Sequence, residues 1–251
     1  MAASVVRRRL AALGIVAGVW IATGPIAAAS PTVIDRAATA TRTAARGEQV
    51  QTKPLPPNPG PTSAVYRVTL HLTWSTQTHP STLPPGWHTS PAVLASHTDD
   101  GDMFAVGGFA SGGIEAMAER GATSVLRNEL DADPTVHQVD IGNRVDQSGT
   151  DTLVVTATRT AGKLSLVSML APSPDWFVGF ADVEVFGAAG WVESLTFDLG
   201  AYDSGTDSGS RFVSGNVDTQ PRQRVSGPRD AEYVAAAGEG RFGFVVIERI
   251  A

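Results

Sequence analysis

Cysteine is absent from all 251 residues, which excludes a disulfide framework, a thiolate metal site and a lipid-modified cysteine anchor. Stability therefore has to come from a packed core. An excess of positive charge is also missing. The chain carries 19 Lys and Arg against 25 Asp and Glu, and from Val65 onward the balance is 12 basic to 23 acidic residues. Such a surface repels nucleic acid and anionic lipid unless a bound cation reverses the local sign, so no nucleic-acid partner is expected. No internal repeat is visible, and only one long apolar run occurs, Leu10 to Ile26. The five histidines, His71, His79, His88, His97 and His137, form neither H-E-x-x-H nor H-x-x-x-H, which leaves a zinc site without support.

The apolar run sits in the pattern of an export signal. Arg7, Arg8 and Arg9 precede it, Gly24-Pro25 breaks it, and Ala27-Ala28-Ala29 offers small residues for cleavage. Residues 1–29 are thus expected to be a signal peptide, giving a secreted or cell-wall-associated protein with no stable membrane anchor after cleavage. Residues 30–64 are rich in Ala and Thr, then in proline from Pro54 to Pro61. They read as an extended linker without a core of its own. Residues 65–251 are enough for one well-buried domain.

That domain opens on strict alternation, with Tyr66, Val68, Leu70, Leu72 and Trp74 on one face and Arg67, Thr69, His71 and Thr73 on the other, the pattern of a half-buried strand. Further strands are expected at Met103 to Phe109, Thr152 to Thr160, Lys163 to Ala171, Trp176 to Phe186, Trp191 to Leu199 and Phe242 to Ile250, with Ala161-Gly162 as the turn of a hairpin. Helical spacing of Ile114, Met117, Ala118, Val125 and Leu126 predicts one main α-helix between Gly112 and Leu130, and Arg229 to Ala237 is a candidate for a shorter one. The fold class is all-β, an antiparallel β-sandwich with one main helix.

Two segments carry the chemistry: Ser173-Pro174-Asp175-Trp176-Phe177-Val178-Gly179 and Asp203-Ser204-Gly205-Thr206-Asp207-Ser208-Gly209. Three carboxylates spaced by glycine and small hydroxyl residues suit a hard cation such as calcium, which takes several oxygens in a flexible cage. Asp, Ser and Gly equally favour tight turns through side-chain to backbone bonds, so these residues alone leave both explanations open. The segment is not an EF-hand, because Gly205 replaces a ligand and Ser214 stands where a bidentate glutamate belongs. Thr206 to Ser210 has a superficial likeness to a serine-protease nucleophile segment, but the expected preceding glycine and second following glycine are absent and no Ala-Ala-His segment occurs upstream. Trp176 could be a sugar platform or core packing, and core packing fits its place at the head of an apolar strand. Asp99, Asp100 and Asp102 read as a solvated acidic turn. Glu115 and Glu119 share a helix face and repel each other unless a cation or an arginine lies between them.

In the order and wording of these motifs the chain from Val65 to Ala251 resembles the spondin domain, the N-terminal module of F-spondin and mindin. The Ser173–Gly179 segment resembles that family's hallmark strand, and Asp203–Gly209 its Asp-Ala-Gly-Thr-Asp-Ser-Gly loop. Ala118-Glu119-Arg120-Gly121 resembles the family's helix, while Trp74 and Ser96-His97 resemble its early strands. The chain departs from animal members at Phe186, where they carry a cysteine. The resemblance implies a C2-like β-sandwich with calcium held in loops at one end, and Asp175, Asp203 and Asp207 match the family's metal-ligating carboxylates. It further implies a non-enzymatic adhesion or matrix-type module whose partner is an extracellular protein or glycan. A single secreted domain behind an Ala/Arg-rich signal has a bacterial look. Two alternatives come from other classes: a secreted hydrolase acting on a polysaccharide, with carboxylates that spacing does not single out, and a calcium-dependent membrane-binding domain of the C2 type.

Overall fold

The computed structural model describes residues 60–251; the expected signal peptide and nearly all of the expected linker lie outside them. In chain order the elements are β1 (Ser63–Leu72), β2 (His88–Thr89), β3 (Val93–His97), α1 (Gly112–Arg120), α2 (Thr123–Ala132), β4 (Val136–Ile141), β5 (Val145–Asp146), β6 (Gly149–Thr158), β7 (Lys163–Ala171), β8 (Trp176–Glu184), β9 (Phe186–Gly187), β10 (Gly190–Trp191), β11 (Ser194–Asp198), β12 (Gly200–Asp203), α3 (Ala231–Glu239) and β13 (Gly243–Arg249). Every long pairing is antiparallel. One sheet runs β11-β13-β1-β6, and the second runs β12-β8-β7 and continues from β7 to β3 and β4 and to β2 and β5. The result is an all-β sandwich with three short helices.

The alternation in β1 places Tyr66, Val68, Leu70 and Leu72 inside the sandwich. There they meet Leu153, Val155, Leu166, Trp176, Val178, Val245 and Ile247 from the neighbouring strands. A second cluster lies on the other face of β3, β7 and β8, where Val93, Val167 and Phe177 pack against Ile114, Met117, Leu126 and Leu130 of the helices. This third layer explains why β3 is wholly buried and β7 is buried at all but its first residue. With both faces covered, a strand loses the inside/outside alternation that marks it in sequence, and β3 carries no such mark.

Four expectations are corrected. The helix between Gly112 and Leu130 is two helices, because Gly121 takes φ +64° and its N–H bonds the Met117 carbonyl while Ala122 N–H bonds that of Ala116. That pair of bonds is a left-handed C-terminal cap that stops α1. Gly121 is also packed so closely that a Cβ there would come within 3.0 Å of Ser90 Cβ. Ala161-Gly162 does not turn a hairpin: β6 pairs with β1 and β7 with β8, β3 and β2, so the connection crosses between sheets. Met103 to Phe109 is no strand but a loop with Gly107 at φ +86°. The shorter helix candidate exists, shifted to Ala231–Glu239.

Polar groups inside the core are bonded in specific ways. His97 Nδ1 lies 2.9 Å from the Thr98 carbonyl, which can only accept. Nδ1 therefore donates there, and Nε2 lies 2.8 Å from the Ser165 hydroxyl and 3.7 Å from Asp182 Oδ1. Ser165 Oγ in turn accepts the N–H of Asp182, a residue held at φ +58°. The group ties β3, β7 and β8 together at two register shifts. His79 is also buried, between Trp74 and Phe242 with Thr78 on its Nδ1. Burial pushes its pKa below the ordinary 6.5, against the opposing charge of Glu239. The folded protein thus holds His79 neutral while the unfolded chain protonates near pH 6.5. Its contribution is complete above pH 6.5 and is lost as pH falls through the lowered folded value. Melting curves from pH 7.5 to 5 are expected to show a decline that is shallower in His79→Gln; equal slopes would refute it.

Candidate functional site

β8 and β12 bring the two chemistry-bearing segments together. They are antiparallel neighbours with Trp176 opposite Asp203, so Asp175 arrives beside Ser204, whose N–H bonds the Asp175 carbonyl at 3.1 Å. Residues far apart in sequence become adjacent by strand register alone. The loop after β12 is then pinned on both sides. Asp203 and Ser226 exchange backbone bonds of 3.0 Å, Gln223 N–H bonds the Gly205 carbonyl at 2.9 Å, and Thr219 N–H bonds that of Thr206 at 2.8 Å. Gly205 has φ +75°, and a Cβ there would lie 2.5 Å from the Gln223 carbonyl oxygen. Only glycine fits this close approach.

Each aspartate of the loop makes a turn with its own glycine. Asp203 Oδ1 accepts the Gly205 N–H at 2.9 Å, and Asp207 Oδ1 accepts that of Gly209 at 2.6 Å. Asp207 Oδ2 also holds Val217 N–H at 3.0 Å. The turn chemistry open in the sequence is therefore present. Asp175 lies beneath the loop and is wholly buried. Its Oδ2 accepts from the Ser204 hydroxyl at 2.9 Å, Thr206 N–H at 2.8 Å and Asp207 N–H at 3.2 Å. Its Oδ1 has no hydrogen-bond partner among the described residues.

Asp203 and Asp207 line a common cavity of about 110 Å³ with Gly205, Gln223, Arg229 and Asp230; Asp175 is not among its walls. Among the described residues, no three His, Asp or Glu side chains converge closely enough to form a metal-holding group. The carboxylates nevertheless bear on one another. Burial pushes the Asp203 carboxyl up to about 7, the Asp175 charge adds to the rise, and Arg229 opposes it. Burial likewise raises Asp175 in spite of its hydrogen bonds, with the Asp207 charge adding.

One acidic residue joins the site from a distant element. Glu119 of α1 has a side chain only 1% exposed, bonded at Oε2 to Arg120 at 3.0 Å, with Oε1 unpartnered among the described residues. Burial raises its pKa; the Thr206 hydroxyl opposes this, and the Glu115 and Asp207 charges reinforce it. Glu115 itself turns to Arg222. The sequence signals for Glu119 were its place within Ala118-Glu119-Arg120-Gly121 and its shared helix face with Glu115, and neither tells which loop an exposed-looking glutamate will meet. Two buried carboxylate oxygens without donors among the described residues, one near the raised Asp203 carboxyl and one near Thr206 and Asp207, amount to unmet demand for positive charge. Carboxylate oxygens are the donor chemistry that a hard cation takes, and Asp175, Asp203, Asp207 and Glu119 supply it around this loop without gathering, among the described residues, into one ready-made group.

The hydroxyls and apolar residues around the site do other work. Trp176 is fully buried, stacked on Tyr233 at 4.3 Å and 8° with Phe212 edge-on at 5.0 Å. It is core, out of reach of a sugar. Asp99 pairs with Lys163 at 3.4 Å and is otherwise solvated. No helix among the described residues is long and apolar enough to cross a membrane.

Comparison with known proteins gives the family. Spondin-1 from Homo sapiens and from Mus musculus are each 31% identical to this chain over 206 residues, covering 75% of it and 26% of the relative. Spondin-2 from Homo sapiens is 32% identical over 171 residues, covering 65% of this chain and 52% of the relative. The chain thus spans about a quarter of the length of Spondin-1 and about half that of Spondin-2. The Spondin_N family profile matches residues 64–232, from the second residue of β1 into α3 and across both chemistry-bearing segments, and the chain belongs to that family.

Proposed function

We propose that this protein is a secreted, non-enzymatic binding module of the adhesion or matrix type, whose loop end binds calcium and is rigidified by it. The observation that carries this is the pair of buried oxygens without a partner among the described residues, Asp175 Oδ1 near Asp203, whose pKa is pushed up to about 7, and Glu119 Oε1 near Thr206 and Asp207. Asp175 and Asp207, Asp203 from the end of β12, and Glu119 from α1 would hold the ion. When bound, calcium supplies the positive charge that these groups lack. The protein's own part is positional. The β8–β12 register sets Asp175 under the loop, Gly205 allows the close approach, and the backbone bonds to 217–226 fix the loop against solvent.

Four exposed apolar side chains, Val106, Phe109, Val213 and Val217, lie on segments tied to this loop. Val225 bonds Gly107 and Gly108, and Ser208 bonds the Val217 carbonyl. They form the surface that a rigid loop would present to an extracellular protein or glycan. Against hydrolysis of a polysaccharide stand the small cavity, well under the roughly 300 Å³ at which ligand pockets begin, and the commitment of the Asp207 oxygens to backbone donors. Calcium titrated into chelator-treated protein is expected to release or absorb heat at a defined stoichiometry. At about one hundred times its Kd it should add about 2.7 kcal/mol of stability, read as a melting temperature about 5 to 10 °C higher. No heat together with an unchanged melting temperature would sink the proposal.

A further inference from the structure

We propose that Arg229 is a tethered counter-cation of this site, holding Asp203 in the metal-free protein and setting calcium affinity by competing for that carboxylate. This builds on the calcium reading above. Arg229 Nη2 donates to Asp203 Oδ1 at 2.7 Å and to the Arg224 carbonyl at 2.8 Å, and Nη1 donates to Gln223. A guanidinium fork held by three acceptors is a fixed charge, not a wandering one. Asp203 is 5% exposed at its side chain and Arg229 31%, so their attraction is only partly screened. Both line the cavity that also presents Asp207 and Asp230.

The neighbouring arginines are engaged elsewhere. Arg222 is bonded to Glu115, and Arg224 bonds the Gly107 carbonyl and covers the Phe109 ring. Arg229 alone of these three meets a carboxylate of the Asp203–Gly209 loop. A hydrogen-bonding partner can also strengthen a metal site by orienting its ligand. Here Asp203 Oδ1 is already oriented by the Gly205 N–H, so what Arg229 uniquely adds is positive charge. Two cations that stabilise the same carboxylate oppose each other's binding.

The test is calorimetric titration of calcium into the chelator-treated full chain, with melting curves of the same samples. Arg229→Gln is expected to bind calcium about tenfold more tightly, to melt lower without calcium, and to gain more from it. Arg229→Lys retains the charge and should stay within about twofold of the wild type, by the same coupling argument. Arg241→Gln, which removes a distant partner of Asp198, should match the wild type. Wild type that binds calcium alongside Arg229→Gln with equal or weaker affinity overturns the counter-cation role alone. A tenfold change in the stable Arg229→Lys would overturn it too, since hydrogen bonding and not charge would then be decisive. Wild type with no calcium binding overturns both this role and the proposed function.

Discussion

Alanine at position 175 is expected to lower the melting temperature of calcium-free protein by about 6 to 12 °C, the equivalent of about 3 kcal/mol in a domain of this size. Asp175 Oδ2 gathers Ser204 Oγ and the N–H groups of Thr206 and Asp207 in a fully buried place. Without it, three donors lose their acceptor away from water. Asparagine is the informative contrast. It keeps an oxygen for those donors, drops the charge and puts an NH2 group in place of the second oxygen. Burial already pushes Asp175 toward its neutral form, so Asp175→Asn should lose no more than about 1 kcal/mol. Yet it should abolish calcium binding, because an NH2 group, which cannot coordinate a cation, then stands in the place of the unpartnered Oδ1. Circular-dichroism melts paired with calcium titration separate the two roles. An alanine variant as stable as the asparagine one would show that the donors find water, and that the loop is less dry than its burial implies.

Trp176→Ala should cost still more, about 3 to 5 kcal/mol. The indole is stacked on Tyr233, meets Phe212 at its edge, and is fully enclosed. Tyr233 is in turn fixed by hydroxyl bonds to the Tyr202 and Phe177 carbonyls, at 3.0 and 3.2 Å. Removing the ring therefore loosens β8 against β12 at the point where Asp175 and Asp203 are set, and calcium affinity should fall with stability. Trp176→Phe is expected to lose less than half as much, since the indole N–H has no partner among the described residues to forfeit. Urea denaturation of the three proteins measures this. A phenylalanine variant as unstable as the alanine one would contradict it.

Much of the architecture was legible before any coordinates. β1 announced itself through period-two alternation because one of its faces meets the core and the other meets water. Lys163 to Ala171 coincides with β7, its apolar run bounded by Gly162 and Pro172. Met103 to Phe109 misled for the opposite reason. Its apolar content serves the packing of Met103 and Phe104 under the helices, while Val106 and Phe109 face solvent. The Gly112–Leu130 helix was visible, but its break was not, since a glycine that caps and one that is merely tolerated look alike in sequence.

The candidate site divides in the same way. Asp175, Asp203 and Asp207 could be named from their spacing among glycines and hydroxyls, since residues that make tight oxygen-rich turns are few. Local chemistry of this kind, the charge balance, the strand periodicity and the absence of cysteine are properties of short segments, and the sequence alone determined them. Only the tertiary structure decided that Asp175 lies beneath the loop while Asp203 and Asp207 face a cavity, that Glu119 joins them from α1, and that Arg229 claims Asp203. These depend on the register of β8 with β12 and on the docking of α1 against the second sheet. Such contacts are chosen by the burial of the whole core, to which no single segment holds the key.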